Sequence, residues 1–87
     1  MRQIFYSSKF KKSVKKMPQF VKKAFLEKEG LFLYDPFHSS FETHKLHGKY
    51  KDFWAFTVIG QYRIMFKFMG SKKDVGFINI GTHDVYR

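Results

Sequence analysis

His44 stands in the run His44-Lys45-Leu46-His47-Gly48, and Arg63 stands in Tyr62-Arg63-Ile64. His83 and Tyr86 stand in the closing run Gly81-Thr82-His83-Asp84-Val85-Tyr86. Imidazole trades protons near neutral pH, and the planar guanidinium fork holds phosphate oxygens. A tyrosine with little core left to join can stack on a base, as in many proteins that hold single-stranded RNA. Together these side chains have the chemistry to cut RNA without a metal, provided that the fold brings them together.

Each residue also has an ordinary reading. A histidine after a strand is by itself a surface residue, and motif matches carry a high false-positive risk. Arg63 alone can be a cross-strand ion-pair residue, although acidic partners are scarce in this chain. His38, His44 and His47 can be plain loop residues. Zinc sites combine His with Cys or carboxylate at tight spacing, and no such grouping is visible, so no metal is expected. No cofactor is expected either.

The chain has 87 residues, with 17 Lys and Arg against 7 acidic residues and a net charge of +10. That field favours polyanions such as nucleic acid or an acidic protein. With no cysteine, disulfides and thiolate metal sites are excluded. Twelve Phe, five Tyr and one Trp can fill a modest core, since each aromatic buries on the order of 150–250 Å². No apolar h-region follows Met1, and the apolar stretch from Phe53 to Gly60 is too short to span a bilayer. Residues 1–87 are therefore expected to form a single cytoplasmic domain with no membrane partner.

The elements that must position the candidate residues follow from spacing. Residues 2–6 suit a short strand, and Ser7 or Ser8 can cap a helix. Phe10, Val14 and Met17 recur at helical spacing, with Lys11, Lys12, Lys15 and Lys16 on the opposite side. Pro18 suits the first turn of a second helix, lined by Val21, Ala24, Phe25 and Lys28 and ended by Gly30. Residues 31–52 show no sustained period and are expected to be a partly extended loop. Three strand-like runs follow at 53–59, 62–68 and 74–80, joined by Gly60-Gln61 and by Gly70-Ser71-Lys72-Lys73. Loops this short demand antiparallel neighbours. The expected fold class is α+β, with an N-terminal strand and helical hairpin packed on one face of an antiparallel sheet in the order β-α-α-β-β-β.

Strand alternation then separates the two sheet faces. Trp54, Phe56 and Val58, with Ile64, Phe66 and Phe68 and with Ile78 and Ile80, should face the helices. Thr57, Arg63, Lys67 and Asn79 should face away, joined by His83 if the extended path continues. Lys45, His47, Lys49 and Lys51, just before the first run, and Lys67 on the open face are candidates to hold RNA phosphates. The lysines of the first helices (Lys9, Lys11, Lys12, Lys15, Lys16, Lys22, Lys23) form a solvated face that also attracts phosphate without sequence preference.

With those residues in hand, the chain resembles the RelE/ParE superfamily of bacterial toxins over nearly its whole length. The likeness begins with Phe10-Lys11-Lys12-Ser13-Val14-Lys15-Lys16-Met17-Pro18 and runs through His44-Lys45-Leu46-His47-Gly48-Lys49, Trp54 and Tyr62-Arg63-Ile64 to Gly81-Thr82-His83-Asp84-Val85-Tyr86. The HxLxG and GTH pieces look most like the YafQ-type branch. YafQ-like members carry a further histidine and an aspartate on the first hairpin, where Thr57 and Gln61 stand here. The arginine is instead that of the RelE and YoeB branches.

The resemblance implies the toxin of a type II toxin–antitoxin system, an endoribonuclease that cleaves mRNA on the ribosome and is neutralised by a cognate antitoxin. It assigns His44 as general base, His83 as general acid, Arg63 as the transition-state cation and Tyr86 as the residue that orients the substrate. The expected partners are an acidic antitoxin, in a toxin–antitoxin hetero-oligomer, together with mRNA and the ribosome. Two alternatives stay open: a ParE-like inhibitor of DNA gyrase, and a non-catalytic RNA-binding module. Members of the gyrase-poisoning branch generally lack the histidine and arginine set.

Overall fold

Ser7 starts the first helix, α1 (Ser8–Lys15), by accepting a hydrogen bond from the Phe10 amide through Oγ at 3.0 Å. Before it lies β1 (Ile4–Tyr6), and after it α2 (Gln19–Tyr34), entered through Pro18. Then come β2 (His44–Lys45), β3 (Trp54–Ile59), β4 (Tyr62–Met69) and β5 (Asp74–Gly81), with 3-10 turns at Ser39–Phe41 and Gly48–Tyr50. The structure is a computed structural model that describes residues 2–70 and 73–82. Among the described residues no helix is long and apolar enough to cross a membrane.

The five strands form one sheet in the order β1-β5-β4-β3-β2. β2 through β5 pair antiparallel, while β1 runs parallel to β5. The α+β class and the helical hairpin on one face match the expectation, but the sheet is mixed and has one strand more. The parallel pair follows from connectivity. β1 and β5 are far apart in sequence, so no tight turn dictates that they run antiparallel. The turn at Gly60-Gln61 is as expected, and Gly60 sits at φ 55°, where side-chain sterics favour glycine. In the β4–β5 connection Gly70 has φ 59°, and Ser71 and Lys72 lie outside the described residues.

Four expectations need correction. α2 does not end at Gly30 but runs one more turn to Tyr34. The reason is Phe32, which is fully buried and stacks on Phe56 with ring centroids 4.3 Å apart, and packs edge-on against Phe41, Phe66 and Phe77. Burying that ring outweighs the roughly 1 kcal/mol cost of a glycine inside a helix. The helix stops where Asp35 precedes Pro36, because proline disfavours the helical region for the residue before it.

The stretch 31–52 is also not a loop, since it contains the end of α2, two 3-10 turns and β2. Finally, Ile78 is not one of the core-facing residues of β5. The ladder skips from the pair Met65–Asn79 to Phe66–Phe77, a bulge at Ile78 that reverses the parity N-terminal to it. Val75 and Phe77 enter the core instead, together with Ile80. Asn79 departs as well: its Oδ1 accepts from Ser13 Oγ of α1 at 2.7 Å.

The helices carry the core onto one sheet face. Phe10, Val21, Ala24, Phe25 and Phe32 pack against Phe56, Val58, Ile64, Phe66, Val75, Phe77 and Ile80. A second bulge, at Val58, separates the pairs Thr57–Arg63 and Ile59–Tyr62. Each skipped residue is tied to the helical layer through its carbonyl: Val58 accepts from Lys28 Nζ, and Ile78 accepts from Ser7 Oγ at 2.7 Å. Both carbonyls thus gain donors that a regular ladder would have supplied.

Candidate active site on the open face of the sheet

The register of β2, β3 and β4 decides which candidate residues share a face. His44 pairs with Ala55, Thr57 pairs with Arg63, and Arg63 in turn pairs with Gly81. Directly opposed residues point to the same side, as do residues two apart along a strand. Ala55 and Thr57 are two apart on β3, so His44 and Arg63 lie on one face, the side opposite the helices. They stand two strands and two residues apart, about 12 Å between Cα atoms from ordinary sheet spacings. The two side chains thus share one face of the sheet, with the Arg63 row nearer the β3–β4 turn than the His44 row.

A hydrogen bond fixes the chemistry of the His44 ring. Its Nδ1 lies 2.9 Å from the backbone carbonyl of Glu42. A carbonyl only accepts, so in the neutral ring Nδ1 carries the hydrogen and Nε2 keeps the lone pair. That is the tautomer of a general base acting through Nε2. Glu42 itself sits at φ 49° and ψ 40°, a left-handed conformation that costs a non-glycine residue on the order of 1 kcal/mol. Glu42 is a part of the site that spacing did not find, because nothing in its residue type marks a left-handed position.

Arg63 donates through Nη1 to the Gln61 carbonyl at 3.1 Å. This bond braces the guanidinium against the β3–β4 turn and uses one of its five N–H groups. Among the described residues no carboxylate pairs with His44, Arg63 or Lys67. Arg63 and Lys67 therefore have no neutralising carboxylate among the described residues, and they add to the field of the +10 chain.

The other candidates fall in three places. Lys67 is exposed on the same face of β4, four residues beyond Arg63. Lys45 pairs with Trp54 of the core-facing set, so it projects to the opposite side of the edge strand from His44. His47, Lys49 and Lys51 cluster at the 3-10 turn Gly48–Tyr50 between β2 and β3, all exposed, with Lys49 Nζ 5.2 Å from the centre of the Tyr50 ring. His83 and Tyr86 lie outside the described residues, and so does the expectation that an extended path carries His83 onto this face. Among the described residues no three imidazole or carboxylate groups converge so as to hold a metal ion.

Comparison with known proteins adds the fold. No protein-family model and no curated protein matches the chain. Solved structures do. The archaeal RelE–RelB complex from Pyrococcus horikoshii OT3 is similar, with a TM-score of 0.75 and 19% identity over 93% of this chain and 93% of that one. YafQ from E. coli has a TM-score of 0.73 and 21% identity over 99% of this chain and 98% of that one. The RelBE2 toxin–antitoxin complex from Mycobacterium tuberculosis has a TM-score of 0.77 and 14% identity over 92% and 95%. The chain therefore has the fold of the RelE and YafQ toxins, and the resemblance read from its residues holds at that level.

Proposed function

We propose that this protein is the toxin of a type II toxin–antitoxin pair, an endoribonuclease that cleaves mRNA on the ribosome by acid–base chemistry without a metal. The observation that carries this reading is the common open face of His44 and Arg63, with His44 Nε2 left as the acceptor by the Nδ1 bond to Glu42. In the proposed reaction His44 Nε2 takes the proton of a 2′-hydroxyl, whose oxygen attacks the adjacent phosphorus. The bond to the 5′-oxygen breaks, and His83 protonates that leaving oxygen. His83 is two residues along the chain from Gly81, the strand partner of Arg63. The products are a 2′,3′-cyclic phosphate and a 5′-hydroxyl.

General acid and base groups contribute typically about 10²–10⁴-fold each. Arg63 stabilises the charge that grows on the phosphorane, where a preorganised donor is worth about 10²–10³-fold. Tyr86 orients the substrate by stacking. Lys67 on the open face, and His47, Lys49 and Lys51 at the β2–β3 turn, hold flanking phosphates, with Lys45 reaching from the far side of the edge strand.

The partner that restrains the toxin is an acidic antitoxin in a hetero-oligomer. Two of the similar structures are toxin–antitoxin complexes, and the +10 charge of this chain complements an acidic segment. Both partners act in the cytoplasm. The test is a purified translation reaction with a defined mRNA. Fragments ending in a 2′,3′-cyclic phosphate support the proposal, and intact mRNA in the presence of folded protein overturns it.

A further inference from the structure

One cross-strand row on the open face joins Lys67, already assigned a flanking phosphate, to two residues that the proposed reaction does not use. Phe5 of β1 pairs with Gly76 of β5, and Gly76 pairs with Lys67 of β4. An aromatic ring, a residue with no side chain and a cation therefore stand side by side across three strands. Phe5 is 49% exposed, although it lies within a sheet whose other face is packed with aromatic rings. The hollow over Gly76 has a volume of about 250 Å³ and is bounded by Phe5, Lys67 and Met69.

Gly76 is not demanded by the backbone, because its φ is not in the left-handed region and it is paired on both sides. A side chain there would crowd Met69, since a Cβ would come within 3.3 Å of its Sδ, and would touch Lys67 Cγ at an ordinary 3.8 Å. A glycine inside a strand marks a bulge or a place of close approach; the bulge here stands two residues on at Ile78, and Gly76 forms the floor of the hollow. A half-exposed phenyl offers a stacking surface that any base can use, and an ammonium beside it offers a phosphate contact.

We infer that the Phe5–Gly76–Lys67 row is a nucleotide subsite, which takes one base of the single-stranded RNA against the Phe5 ring over Gly76 and one phosphate on Lys67. The inference rests on the RNA reading above and deepens it. Lys67 is four residues from Arg63 along β4, roughly 13 Å, so the subsite holds a nucleotide a short way along the strand from the scissile bond. The exposed Phe5 ring set beside an ammonium fits a nucleotide, whose base can stack while its phosphate pairs. Lys67 and Arg63 share this face, and Asp74, two residues from Gly76, is bonded through Oδ1 to the backbone amide of Gln3 at 3.0 Å.

The experiment is equilibrium binding of the full chain to a short single-stranded RNA. The probe is 2′-O-methylated throughout, so that no 2′-hydroxyl can attack, and carries 2-aminopurine at one position in each of a series of probes. One position is expected to be quenched on binding, as stacking requires. Phe5→Ala should remove the quench and weaken binding about tenfold, while Phe5→Trp retains both. Gly76→Ala should weaken binding in the same direction. Lys67→Gln should make the slope of log K against log salt shallower by about 0.7. Phe5 is exposed, so its variants are expected to keep the wild-type circular dichroism. Wild-type affinity in Phe5→Ala, with the wild-type chain binding normally, overturns the subsite and leaves the RNA reading standing. Failure of the wild-type chain to bind any probe overturns the subsite, while the RNA reading stands or falls on the translation reaction above. Retained RNA affinity in Phe5→Ala with lost binding of an acidic protein partner overturns the subsite too, and assigns the row to that partner.

Discussion

Lys28 of α2 donates through Nζ to the carbonyl oxygen of Val58, the residue skipped by the β3–β4 ladder. The bond joins the helical layer to the sheet one residue from Thr57, the strand partner of Arg63. A lysine on the inward side of a helix thus helps to set the register in which the candidate cation is held. Lys28→Met keeps the stem and removes the donor. The expected loss is about 1–3 kcal/mol, the usual cost of leaving a sequestered carbonyl unpaired, read as a lower urea midpoint with an unchanged slope.

Gly30 is an exposed glycine in the body of α2, with nothing within 4 Å of where a Cβ would stand. Gly30→Ala should therefore stabilise the protein by about 0.5–1 kcal/mol through helix propensity alone. Thermal unfolding checks this, and a lower midpoint in the variant would contradict the continuous helix through Gly30.

Tyr6 bonds through its hydroxyl to Glu29. Burial of its phenol, then the hydrogen bond and the negative charge of Glu29, push its pKa above the ordinary value near 10. A group raised in the folded state stabilises it fully below the unfolded value and loses that contribution as pH climbs from there. Wild-type stability should accordingly fall between about pH 10 and pH 11 more steeply than that of Tyr6→Phe. Urea midpoints across pH 8–11 read the difference, and parallel curves would remove the Tyr6–Glu29 pair from the picture.

His44 and Arg63 separate two kinds of loss. His44→Gln keeps a polar side chain but cannot accept the proton, so the cleavage rate should drop about 10²–10⁴-fold. Arg63→Lys keeps the charge and loses the planar fork, with an expected drop of about 10²-fold. Single-turnover cleavage of a defined mRNA measures both. Equal rates in wild type and His44→Gln would remove His44 as the base.

Much of the fold was legible because spacing and punctuation agreed. Phe10 and Val14 marked the α1 stripe, Ser7 marked its start, and Gly60-Gln61 marked the tight turn between two alternating runs. Gly30 misled, because local propensity favours stopping there while Phe32, two residues on, has the centre of the core to fill. Ile78 misled for another reason. A single-residue bulge reverses parity without any signal in residue type, and Ile is as apolar as the Val75 and Phe77 that replace it. β2 was invisible because two residues cannot display an alternation.

That last omission matters most for the site. Arg63 was placed on the open face by alternation within a long strand. His44 could join it only through the pairing of His44 with Ala55, a contact between distant parts of the chain. The chemistry was thus readable from residue types, while the geometry that unites His44 with Arg63 required the sheet.

The most direct test is to express the protein without a partner and map the 5′ ends of cellular mRNA, comparing wild type with Arg63→Ala and His83→Ala. Discrete new 5′-hydroxyl ends within coding regions are expected in wild type and should be lost in both variants. Growth arrest with intact mRNA, or the same new ends in both variants, would contradict an acid–base ribonuclease built on this face.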